Sequence, residues 1–232
     1  METSTPASLP TFVDLLQRCV DEPGKHLEEQ SCVHFDAYLF GYSATGRLRG
    51  TECLPNSFEA ALEQDFGIRN LKGYSFSHWS FLVAALGEPG ALHRKLEYLK
   101  ALYTPVQTFD VPSRPKDLLS LLDKDGGIRQ RPTLYLGNGA SSVLLWSLIS
   151  GSCWAEIDAG VQAGPINHFF IGFQAWIEKK YPFSRGIPWG RTLLLVTMNC
   201  SKSSVDTFFR HHDSYAKQLK RKKANKAQAA SP

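Results

Sequence analysis

The chain has 232 residues, enough for one domain or two small ones with a substantial core. Its 43% hydrophobic and 12% aromatic content excludes a wholly disordered chain. The net charge of +4 is unevenly placed: residues 214–232 hold six of the 26 Lys and Arg and none of the 22 Asp and Glu, which leaves the rest at net −2.

Five cysteines, Cys19, Cys32, Cys53, Cys153 and Cys200, are odd in number and lack Cys-x-x-Cys spacing. Reduced thiols are expected rather than a secreted disulfide scaffold. The segment Met1–Pro6 has no basic stretch leading into an apolar one, so a signal peptide is not expected. No apolar run approaches the ~20 residues of a membrane span. The expected location is therefore cytoplasmic or nuclear, with no membrane partner.

In chain order, Thr11 caps an expected helix over Phe12–Val20, which Asp21-Glu22-Pro23-Gly24 ends. Cys32–Phe40 alternates Val33, Phe35, Ala37 and Leu39 with His34, Asp36 and Tyr38, the period-two pattern of a half-buried strand. Asn56-Ser57-Phe58-Glu59 resembles a capping box for a helix over Phe58–Asp65. Ser77 starts another helix to Gly87, and Leu92, Leu96 and Leu99 mark an amphipathic one that Pro105 stops. Pro115 opens a short Leu-rich helix up to Gly126-Gly127.

Thr133–Gly137 then reads as a strand, and Ser141–Ile149 as a buried helix closed by Gly151. Gly164–Phe170 leads into a helix ending near Tyr181, and Thr192–Met198 reads as a second strand. A last helix from Ser203 is docked by Val205, Phe208 and Phe209, and Ala227–Pro232 is expected to be disordered. The expected class is α+β: a helical N-terminal half with one strand, a C-terminal half forming a small mixed sheet with packed helices, and a disordered basic tail. The expected units are 1–131, 132–213 and the tail 214–232, with one continuous domain over 11–213 as the alternative.

No catalytic residue is assigned from the sequence, and no metal is expected. A Cys53, His34 and Asp36 group could form a nucleophilic or metal site, against a solvent-facing strand side as the plainer reading. His211-His212-Asp213 reads as a helix surface, because adjacent helical residues point ~100° apart. Gly137-Asn138-Gly139 before a helix can hold a phosphate, or be a tight turn. Lys220-Arg221-Lys222-Lys223 is a compact cationic block suited to nucleic-acid phosphates or an import receptor, with a solubilising tail as the alternative.

Thr133-Leu134-Tyr135-Leu136-Gly137, the segment Gly164–Phe170, the following helix with Ala175 and Tyr181, and Leu193–Met198 together resemble ADP-ribosyltransferase-like domains in order. The resemblance covers residues 133–198 and implies a pocket for NAD or a related ligand. In it Tyr135 would stack on a ligand ring, the backbone of Gly137 and Asn138 would face phosphate or amide groups, and His168 would hydrogen-bond. Leu136 stands where the family grips NAD with His or Arg, and no Glu lies between Leu193 and Val205. The implied domain thus binds a ligand with no residue assigned to catalysis. The alternative is a non-enzymatic accessory protein, with a protein partner on its helical N-terminal half and a basic tail for nucleic acid or nuclear import.

Overall fold

The computed structural model describes residues 12–44, 64–65, 78–102, 118–137, 139–161 and 164–229. The expected helix over Phe58–Asp65 falls outside them except for its last two residues, and so do Thr11, Cys53, Ser77, Pro115 and Asn138. Every regular element among the described residues is a helix and none is a strand, which overturns the expected α+β class. The helices are α1 (Phe12–Asp21), α2 (Pro23–His26), α3 (Cys32–Ser43), α4 (His78–Leu102), α5 (Leu118–Leu122), α6 (Gly127–Gln130), α7 (Pro132–Leu136), α8 (Ser142–Asp158), α9 (Pro165–Lys180), α10 (Trp189–Val196) and α11 (Ser201–Ala229). A 3₁₀ turn over Pro182–Ser184 separates α9 from α10.

Each expected strand became a helix for an identifiable reason. In α3, Ser31 is the N-cap and accepts from the His34 amide, and Phe35, Tyr38 and Tyr42 are fully buried at i, i+3 and i+7. The apparent alternation arose because α3 is covered on several sides, so apolar residues occur all round it while Val33 is 48% exposed. The Thr133–Gly137 segment is one helical turn with Pro132 at its first position, closed by Gly137 at φ 72°. Thr192–Met198 is a short apolar run of the kind that periodicity cannot divide between buried strand and buried helix. It lies mostly in α10, which ends at Val196 with Thr197 as its C-cap, before Met198 (φ 53°) and Asn199 (φ 60°).

Helices α3 and α8 cross at the centre of the molecule. A Cβ on Gly41 would overlap the Leu148 carbonyl, and one on Gly151 would overlap the Tyr38 carbonyl. The Ser152 hydroxyl donates to the Gly41 carbonyl at 2.6 Å. Gly151 thus does not end α8, as its type suggested; it lies mid-helix, where only a hydrogen atom fits. On one side of the crossing, Leu15, Leu16 and Cys19 of α1 and Ala91, Leu92 and Leu96 of α4 surround Phe35, Tyr38 and Tyr42. On the other, α5 to α7 and α9 to α11 enclose Leu145 and Leu148 together with Phe170, Phe173, Ile177, Trp189, Leu193 and Phe208.

Polar ties fix these layers. Asp158 of α8 accepts from Arg18 of α1 and from the Tyr42 hydroxyl of α3, each at 2.6 Å. The start of α9 has no side-chain cap of its own, and the carboxylate of Glu156 takes the Ile166 and Asn167 amides at 3.1 and 2.8 Å. Gly164 leaves room for it there, since a Cβ would make that carboxylate shift.

The 29 residues of α11 make a rod of about 43 Å. Val205, Phe208, Phe209 and Tyr215 dock it into the aromatic core, with Leu219 packed at the edge of that cluster. Arg129 of α6 holds it with a fork to Asp213 at 2.7 and 3.0 Å, its guanidinium 4.5 Å from the Phe209 ring centre. The helix continues to Ala229, so the disorder expected over the basic tail is corrected as far as that residue. Beyond the docked stem, Lys220-Arg221-Lys222-Lys223-Ala224 are strong helix formers and extend an already nucleated helix.

Candidate functional site

Three of the four residues expected to line an NAD pocket, Tyr135, Gly137 and His168, are among the described residues. The Tyr135 ring packs edge-on against Phe40 with centroids 5.5 Å apart, and its hydroxyl occupies the place a Cβ on Gly127 would take. Gly137 is exposed at the end of α7, His168 is exposed on α9, and Asn138 lies outside the described residues. Tyr135, Gly137 and His168 line none of the three clefts described below. The helix start after Gly139, read as a phosphate cradle, is filled from within the protein. The Leu144 amide donates to Ser141 Oγ, and the Ser142 amide to Ser204 Oγ at 3.0 Å.

The His34 and Asp36 pair is likewise separated. Asp36 meets the buried Lys95 of α4 at 3.3 Å, whereas His34 Nδ1 lies 2.9 Å from Ser147 Oγ of α8. His34 Nε2 is 3.9 Å from the Glu29 carboxylate, so Ser147, His34 and Glu29 form a serine–histidine–acid line that the sequence reading missed. Their positions, 118 residues apart at the extremes, gave no local signal. The line cannot act as a nucleophilic site, because Ser147 is fully buried and no substrate carbonyl reaches its oxygen. It ties α3 to α8. Glu29 and Glu28 also bind Arg191 of α10, each at 2.9 Å.

His211 and His212 also turn inward. His211 Nε2 is 2.9 Å from the Tyr181 hydroxyl, and His212 packs against Phe169. Among the described residues no group of three or more His, Cys, Asp or Glu converges on a metal-sized gap. The four described cysteines are free thiols. Burial pushes Cys32 and Cys153 up to about 12, whereas hydrogen bonds from Ser203 lower the exposed Cys200.

The buried histidines make stability depend on acid. Burial lowers His34 and His211 to about 4, and it lowers His26 and His212 as well. The unfolded chain protonates these rings near pH ~6.5, while the folded protein keeps them neutral. Stability is therefore full above that pH and falls as pH drops from about 6.5 toward 4, by as much as ~1.4 kcal/mol per pH unit per ring. Urea midpoints across that range should decline, and His34→Gln with His211→Gln should flatten the curve. A curve level from pH 6.5 to 4 would contradict these burials.

Three clefts are lined by described residues. A cleft of about 460 Å³ lies between α8, α9 and the segment leading into α10, with Trp146, Phe170 and Trp189 in its walls. A second, of about 440 Å³, lies beside Met198 and Arg210. The third, of about 260 Å³, is lined by Glu29, His34 and Glu88. A compact charged feature lies outside the clefts. Lys220, Arg221, Lys222 and Lys223 are all exposed on the projecting end of α11. None of the four forms an ion pair among the described residues, and at 100° per residue they point to nearly every side of the rod. No helix among the described residues is long and apolar enough to cross a membrane. Comparison of the chain with protein-family models, curated proteins and solved structures finds no match.

Proposed function

We propose that the protein is a non-enzymatic accessory protein whose C-terminal helix presents a cationic end to the phosphate backbone of nucleic acid. The observation that carries this reading is the placement of four consecutive cations on a helix extending past its last core contact, Leu219. A docked stem orients the charge, and a continuous helix holds it away from a body whose remaining residues are net −2. Cations without internal partners lose little on meeting phosphates and gain from counterion release. No aromatic residue interleaves Lys217–Lys226, so base stacking has no platform and binding should be indifferent to sequence.

The test is fluorescence anisotropy of the full chain with a labelled DNA duplex of about 20 base pairs. Changing Lys220, Arg221, Lys222 and Lys223 together to Gln should weaken binding at least about tenfold at low salt, and changing the three lysines to Arg should preserve it. A duplex of scrambled sequence should bind equally. Undiminished binding by the glutamine variant would overturn the reading.

A further inference from the structure

We infer that the aromatic cleft between α8 and α9 is a binding site for a small organic ammonium with an apolar body. Trp146 and Ile149 of α8 face Phe170 and Ile171 of α9 across it, and Ile187 and Trp189 close its end. Its volume of about 460 Å³ falls in the range of small-molecule sites, which combine apolar walls with a few fixed polar groups.

The polar groups here are Gln174 and Glu178, one turn apart on α9. Gln174 is fully engaged: its amide nitrogen donates to the Ile187 carbonyl at 2.9 Å and to Glu178 Oε1 at 2.8 Å, and its oxygen accepts from the Trp189 amide at 2.8 Å. It staples the segment before α10 against α9 and fixes the carboxylate of Glu178 in one orientation. Glu178 Oε1 also faces the Gly186 amide at 3.4 Å, while Oε2 has no protein partner and the carboxylate no ion pair among the described residues. An oriented anion with one open oxygen beside aromatic walls matches an ammonium that donates to Oε2 and lays its hydrocarbon along Trp146 and Ile171. A carboxylate ligand would meet repulsion there, and a neutral one would forgo the charge-assisted bond.

The site is tested by isothermal titration of the full chain with 4-phenylbutylamine, 4-phenylbutanol and 4-phenylbutyrate, which share a body and differ in head group. The amine should bind saturably and at least about tenfold tighter than the alcohol, with the acid weakest. Glu178→Gln keeps an oxygen for Gln174 and Gly186 and should erase the preference for the amine. If that variant unfolds at a lower temperature, Ile171→Lys, at a 65% exposed position on the wall, serves instead and should displace the amine. Equal affinity for the three compounds, no saturation below about 5 mM, or an amine preference that survives in the folded variants would overturn the inference.

Discussion

Gly151→Ala should destabilise the protein by about 3 kcal/mol or more, although alanine is the better helix former by ~1 kcal/mol. The sign is set by what the new methyl meets. At Gly151 it would overlap the carbonyl of Tyr38 and crowd the amide of Tyr42, and both are backbone atoms of α3 that no rotamer change can move. The two helices would have to separate, opening gaps along Tyr38, Leu148 and Ala155, which are fully buried. Gly41→Ala should behave alike, because its methyl would overlap the Leu148 carbonyl. Gly24→Ala is the control: nothing lies within 4 Å of its added Cβ, and stability should hold or rise by up to about 1 kcal/mol. Urea denaturation of the three variants checks this, and a stabilised Gly151→Ala would contradict the crossing.

Phe208→Ala should cost about 3–5 kcal/mol. Phe208 is fully buried and stacks on Trp189 of α10 with centroids 4.9 Å apart. It meets Phe173 of α9 edge-on at 5.7 Å and lies 6.5 Å from Phe170. One ring thus joins three helices, and its loss leaves a cavity in the core that docks the stem of α11. The four-cation glutamine variant should by contrast stay within about 0.5 kcal/mol of the parent, because those side chains touch no core. Thermal and urea unfolding of both variants test the division between a docking stem and a projecting end. A loss below about 1 kcal/mol in Phe208→Ala would show that the stem is held elsewhere.

Much of the helical content was legible. The Phe12 helix, the Leu92 and Leu96 helix broken at Gly87, the Leu118 helix, the buried helix after Ser141 and the aromatic anchors Val205, Phe208 and Phe209 all carry local signals in spacing, caps or breakers. The three expected strands failed for a shared reason. Each is a run of five to nine residues, too short for periodicity to divide strand from helix. Pro132 at the first helical position was the signal for α7 that outweighed its strand-like composition.

Gly151 shows a second limit. A glycine can end a helix or let another helix approach, and only the partner, the Tyr38 backbone 113 residues away, decides between them. The candidate sites divide along the same line. The cationic block is contiguous and needed no folding to be seen. The Ser147–His34 contact spans 113 residues and the cleft joins two helices, so neither had a pattern in the sequence. Tyr135 and His168 lie in one stretch of chain but pack in different surroundings, because a helical turn points its residues where a strand would not.

The most direct measurement is the salt dependence of duplex DNA affinity for the full chain, as log K against log salt. If the four exposed cations each neutralise a phosphate, the slope should be about −3.6, and the four-glutamine variant should lose nearly all of it. A slope near zero in the parent, or one unchanged in the variant, would contradict the assignment of nucleic-acid binding to the end of α11.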